Sequence, residues 1–209
     1  MANKLLSSIQ KQLEQGISIL KQGGIVAFPT DTVYGLGAAV NLPQAVARVY
    51  EVKARPQNMP LPLLLADKSQ IEEVAEPVPP IAWLLAAKFL PGALTMVLFK
   101  SKSVPDTVTG GGKTVAIRIP AHPVPLALAR GVGTPIVGTS ANLSGQPSAL
   151  TAEEVYTQLD GKVDLIIDGG RCPGGRESTI VDLTGETPII LREGAISREE
   201  LKSAYRHWR

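Results

Sequence analysis

The sequence has 209 residues, 44% of them hydrophobic and 19% charged, with a formal net charge of only +2. That balance describes an ordinary folded domain, does not announce a nucleic-acid binder, and at 4% aromatic residues leaves little for a base-stacking platform. Cys172 is the single cysteine and His122 and His207 are the only histidines, which excludes an intrachain disulfide or a cysteine metal cluster and disfavours zinc.

In chain order, apolar Leu5, Ile9, Leu13, Ile17 and Leu20 recur at helical spacing up to a stop at Gly23-Gly24. Residues 25–28 read as a short buried strand, and a polar loop, Pro29-Thr30-Asp31-Thr32, leaves it. A helix is expected from about Asn41, with Asn41 as cap and Pro43 in its first turn, ending before Pro56. Residues 61–66 read as a strand, and Ser69 with Glu72 as a capping box. Then come a helix from Pro79-Pro80 to about Leu90, strands over 94–99 and 114–119, a helix over 126–130 and a strand over 135–137. Thr151 caps a helix to about Leu159. Strands follow over 165–167, 179–183 and 189–192, and Ser197 opens a last helix through a capping box.

No long apolar run of about 18 residues occurs and the N-terminus lacks a signal-peptide pattern, so a cytoplasmic protein without a membrane partner is expected. The alternation of elements, with hairpin-like neighbours late in the chain, predicts one α/β domain over residues 1–209, its core about 16–196. The expected architecture is a twisted mixed open sheet, parallel and antiparallel, with flanking helices.

Two glycine-rich stretches imitate chemical motifs. Gly110-Gly111-Gly112-Lys113-Thr114 resembles the end of a phosphate loop, but position 107 is Thr107 and a strand, not a helix, follows Thr114. It reads as a flexible loop. Residues 169–176 read as either a plain turn or part of a site, and Cys172 within them lacks a neighbouring base. His122, after a strand end, reads as structural or simply exposed.

Polar segments that begin where strands end are better site candidates, because ligands of open α/β sheets gather there. Residues 29–37 are the first of these. Lys53 and Arg55 come next, at a helix C-terminus, where cations are favourable in any case. On the strand over 114–119, alternation puts Thr114, Ala116 and Arg118 on one face and Val115, Ile117 and Ile119 on the other. The first face suits an anion, since arginine can grip a carboxylate or phosphate with two bonds. Ser140, Asn142 and Ser148 form a hydroxyl- and amide-rich run after another strand. The segments around Ser178 and Arg192 repeat the theme.

Six segments in order resemble the YrdC family of threonylcarbamoyl-adenylate synthases, from about Gly16 to Ile196. They are residues 24–36 (with Pro29-Thr30-Asp31-Thr32-Val33-Tyr34-Gly35), Lys53-Ala54-Arg55-Pro56, residues 89–95, Val115-Ala116-Ile117-Arg118-Ile119-Pro120, Ser140-Ala141-Asn142-Leu143-Ser144-Gly145, and Glu177-Ser178-Thr179-Ile180-Val181-Asp182. The resemblance implies a concave basic cavity and a nucleotidyltransferase that joins L-threonine, bicarbonate and ATP, with Mg²⁺ accompanying the ATP. A downstream transferase complex would carry the threonylcarbamoyl group to tRNA. It further implies that Thr32, Arg118 and Ser178 hold threonine and that Lys53, Arg55, Thr114, Ser140, Asn142, Ser148 and Arg192 hold ATP, with Lys53, Arg55 and Arg118 nearest the chemistry. Met59 stands where many relatives carry Asn, and Leu64 stands near a frequent His. Cations around the amino acid would also lower the pKa of its ammonium group, which must be neutral to form a carbamate. The competing readings are an RNA-binding module without catalysis and a carbamoyl-adenylate-forming carbamoyltransferase domain.

Overall fold

A computed structural model describes residues 2–205, with side chains from residue 9 onward, so Leu5's side chain and His207 lie outside what is described. The helices are α1 (Ala2–Lys21), α2 (Pro43–Lys53), α3 (Ile71–Val74), α4 (Pro80–Phe89), α5 (Asp106–Thr109), α6 (Pro123–Val132), α7 (Ala152–Leu159) and α8 (Arg198–Ala204). The strands are β1 (Val26–Phe28), β2 (Gly35–Ala39), β3 (Leu63–Leu64), β4 (Leu94–Phe99), β5 (Thr114–Arg118), β6 (Ile136–Ser140), β7 (Leu165–Ile166), β8 (Thr179–Asp182) and β9 (Ile189–Arg192). They make one mixed sheet in the order β7-β1-β2-β6-β3-β5-β4-β8-β9. β1–β7, β3–β5 and β4–β8 pair parallel, and the remaining neighbours pair antiparallel. The expected fold class is the observed one. Among the described residues no helix is long and apolar enough to cross a membrane.

The period-2 rule of strands decides where the site can be. On one face Leu36, Leu63, Met96, Ile117, Val137 and Val181 join a core closed by α2, α3, α4, α7 and α8. On the other, Val26, Phe28, Leu64 and Ile136 pack with Leu20, Val124 and Leu128 of α1 and α6. Those two helices pack on each other and cover only the β7-to-β3 end. Among the described residues no helix covers that face of β5, β4, β8 and β9, and a cavity forms there.

The structure corrects several expectations. β2 is a strand within what reads as loop: it pairs with β1 and β6, and Gly35 and Gly37 leave room for the Phe28 ring, from which a Cβ would sit 2.8 and 2.9 Å. α2 starts after Leu42 without a side-chain cap, so Asn41 is not the cap. A 3-10 turn over Lys68–Gln70 precedes α3 and is capped by Asp67, which accepts from Ser69 N, so Ser69 and Glu72 form no capping box. α5 has no counterpart in the sequence reading. β3 is shorter than expected, while α6 and β6 are longer. The caps at Thr151 and Ser197 are as expected, each hydroxyl accepting from the third helical N–H.

Candidate active site

The cavity has a volume of about 640 Å³. Its floor is Thr95, Val97, Ala116, Arg118 and Ile180 on the uncovered sheet face, continued by Gly138 of β6. Its walls come from the loop before β2, the turn after α2, the loop after β6 and the ends of β8 and β9. Eight of the ten expected residues line it: Thr32, Lys53, Arg55, Arg118, Ser140, Asn142, Ser178 and Arg192. Met59 and Leu64 line it too. Thr114 and Ser148 do not. Thr114 lies about 13 Å along β5 from Arg118, and Ser148 reaches the lining through Glu177, to which its hydroxyl donates at 2.8 Å.

Arg118 ends β5 buried, with one bond from each of its three nitrogens, which leaves a second N–H on each of Nη1 and Nη2 for a ligand. Its Nε donates to Gly92 O at 3.0 Å, Nη1 to Thr32 Oγ1 at 2.9 Å and Nη2 to Asp31 Oδ1 at 2.7 Å. The Asp31 pair is largely dry, at 9% and 15% side-chain exposure. Burial lowers the pKa of this guanidinium and Asp31 opposes the shift. Thr30 donates to Val33 O at 2.7 Å, so the Thr32 hydroxyl proton is left for Thr30 Oγ1 at 3.0 Å. Local turn chemistry thus presents Thr32 to Arg118 in one orientation. Beside them Thr95 and Ser178 share a hydroxyl bond of 2.8 Å.

Lys53 is buried at the end of α2. Its ammonium donates to Ser140 O at 2.5 Å, Asn142 O at 2.7 Å and Asn142 Oδ1 at 3.2 Å. Burial, and then the charge of Arg55, bring its pKa down to about 8. Ala54, in the left-handed region, turns the chain so that Arg55 bonds Met59 O and Pro60 O at 3.2 and 2.9 Å. Asn142 in turn donates to Leu143 O and Gln146 O. Arg192 donates from Nε and Nη2 to Ser178 O, and from Nη1 to Glu177. Each of these four cations therefore has protein acceptors, and the lining is pre-organised.

Thr30, Thr95 and Glu177 are among the polar lining residues that were not named as site members. Thr95 was legible from alternation, since it and Val97 face away from core Leu94, Met96 and Leu98. The 169–176 stretch packs behind the site loop. Tyr34 donates its hydroxyl to Gly170 O at 2.9 Å, and burial raises its pKa to about 12. Cys172 accepts from Thr30 N, and burial pushes its thiol up, which fits packing and not nucleophilic attack. His122 caps α6 through Nδ1, which accepts from Val124 N. Among the described residues no three of His, Cys, Asp or Glu cluster as metal ligands.

A Cβ on Gly174 would lie 2.6 Å from Asp31 O and 2.9 Å from Thr32 Cα, backbone atoms that cannot swing aside. Gly174→Ala is expected to destabilise by about 1–3 kcal/mol and to weaken ligand binding by displacing Thr32. Gly185→Ala, whose Cβ meets only Thr187 O at 3.8 Å, is the neutral control in a thermal melt.

A sequence model of Sua5, YciO and YrdC proteins, described as "Telomere recombination", matches residues 18–194. The Bacillus subtilis threonylcarbamoyl-AMP synthase is 45% identical over 95% of this chain and 58% of its own length. Sua5 of Pyrococcus abyssi, solved with L-threonine, superposes with a TM-score of 0.92 at 43% identity, over 94% of this chain and 58% of that one. The chain thus spans somewhat less than two thirds of these two relatives. Escherichia coli YciO superposes with a TM-score of 0.81 at 32% identity and is covered over 90% of its length.

Proposed function

Because the chain belongs to the Sua5–YciO–YrdC family, we infer that it condenses L-threonine, bicarbonate and ATP into threonylcarbamoyl-AMP and pyrophosphate. The observation that carries this reading is the pairing of two polar groupings in one cavity. One consists of Arg118, Thr32, Thr95 and Ser178, and the other of Arg55, Arg192, Ser140 and Asn142 beside Lys53. The first suits an amino acid: a guanidinium for its carboxylate and a set of hydroxyls for its side chain. The second suits a nucleotide, with cations for phosphate and amide and hydroxyl groups for the remainder.

In this reaction the neutral threonine amine takes up bicarbonate with loss of water. A carbamate oxygen then attacks the α-phosphorus, the new P–O bond forms, and the bond to the β-phosphate breaks to release pyrophosphate. No step needs a covalent nucleophile. Positioning and charge supply the catalysis. Arg118 fixes the threonine, while Arg55 and Arg192 stabilise phosphate charge. Lys53, already saturated by carbonyls, acts by holding Ser140 and Asn142 in place. Mg²⁺ would be carried by the phosphates: Glu177 is the one carboxylate among the described lining residues, and such an ion needs few protein ligands. Ser148, through Glu177, and Thr114 stand further from this centre. Delivery to tRNA by a partner transferase, in the cytoplasm, completes the proposal.

Incubation with the three substrates and mass detection of the adenylate tests it. Absence of product, together with strong salt-dependent RNA binding, would overturn it in favour of an RNA-binding module. The cations also bear on the amine. They lower the pKa of the bound ammonium, so Arg55→Gln is expected to move the acidic limb of the rate profile to higher pH. An unmoved limb would remove Arg55 from that role.

A further inference from the structure

Glu177 is a carboxylate in a cavity otherwise lined by cations and neutral groups. A negative charge beside a phosphate site works against phosphate binding. Its position is nonetheless well defined. Glu177 O accepts from Ala195 N at 2.8 Å, which anchors the backbone. One carboxylate oxygen accepts from Ser148 Oγ at 2.8 Å and the other from Arg192 Nη1. A single side chain thus ties the 141–151 connection to β9 across the cavity rim. Its field also reaches Lys53, whose pKa it raises.

The two acid–arginine pairs of the cavity differ in kind. Arg118–Asp31 is buried, and breaking it would strand a charge. Arg192–Glu177 has side-chain exposures of 41% and 35%, so water can solvate either partner when the other leaves. The first pair is fixed framework, whereas the second can be exchanged. Of the two Glu177 partners, Arg192 lines the cavity and is a residue the nucleotide reading gives to ATP, whereas Ser148 lies behind the lining.

We propose that Glu177 is an internal stand-in for nucleotide phosphate: it occupies Arg192 while the cavity holds no nucleotide and yields that guanidinium to the triphosphate, with Ser148 holding the Glu177 carboxylate from behind. This rests on the nucleotide reading above. It makes Glu177 a positioning residue that keeps the rim ordered, weakens the hold on nucleotide, and retakes Arg192 when pyrophosphate departs.

The test is calorimetric titration of ATP, and separately of L-threonine, into wild type and Glu177→Gln, with Glu177→Ala as a second variant. The expected result is ATP binding about threefold to tenfold tighter in both variants, the effect of removing one like charge from a half-wet site. Threonine affinity should stay within about twofold, because the buried Arg118 pair is untouched. Unchanged or weaker ATP binding overturns the proposal, since a purely structural or metal-binding Glu177 would weaken it. If wild type binds threonine but neither wild type nor variant binds ATP, the nucleotide reading fails and the proposal with it.

Discussion

Arg118→Ala is expected to cost more than a hundredfold in adenylate formation, carried by a raised KM for threonine. Removing a buried partner of a charged contact typically costs about 2–5 kcal/mol. A second loss comes with it. Asp31, at 15% side-chain exposure, is left without the guanidinium at 2.7 Å, a change worth about 3–5 kcal/mol of stability. Arg118→Lys is not expected to rescue either loss. One ammonium cannot reproduce three directed bonds to Gly92, Thr32 and Asp31. The two roles can be separated with Arg118→Ala combined with Asp31→Ala. Urea unfolding of the double variant should recover much of the stability, because no charge is stranded, while activity stays lost. Return of activity in the double variant would show that Arg118 serves folding alone.

Lys53→Met is expected to be the next most damaging change. Methionine keeps the buried stem but leaves Asn142 O and Asn142 Oδ1 without the Lys53 donor, while Ser140 O keeps its bond from Asn142 N. Unsatisfied buried acceptors cost about 1–3 kcal/mol each, with partial relaxation, so a total near 3 kcal/mol is expected. Release of Asn142 should also raise KM for ATP more than KM for threonine. The pH dependence gives an independent signature. With its pKa at about 8 in the fold, against 10.5 for an ordinary lysine, Lys53 is protonated in both states below about 8 and contributes no slope there. Between those values the unfolded chain binds more protons, so this group makes stability rise with pH. Urea titrations of wild type and variant across that window should differ by that rise. Parallel curves would show that Lys53 titrates normally.

The period-2 pattern of β5 gave the orientation of Arg118 from sequence alone, and strand-end polarity picked out Ser140, Asn142 and Ser178. β2 was hidden for a physical reason: its glycines carry no side-chain signal, and what makes it a strand is pairing with β1 and with the distant β6, while the Phe28 ring excludes any Cβ at Gly35 and Gly37. Asp31 was visible only as part of a polar loop. Its partner lies 87 residues away, so no local spacing could name it. Glu177 sat within a segment already singled out, but its link to Ser148, 29 residues distant, was not legible. The caps at Thr151 and Ser197 were legible because an N-cap is satisfied within three residues. Asn41 was not, because Leu42 lies between it and the first helical residue, Pro43.

The sequence by itself determined the α/β class, the separation of core from polar strand faces, and the segments that could hold a ligand. These come from periodicities and turn preferences that act over a few residues. Only the tertiary structure decided that the helices leave one side of β5, β4, β8 and β9 open, so that those segments meet in a single cavity. It alone decided which acid–arginine pair is buried, Arg118–Asp31, and which is half-exposed, Arg192–Glu177. Charge can be counted along a chain, but desolvation and the choice of partner are properties of space, fixed only when distant segments pack together.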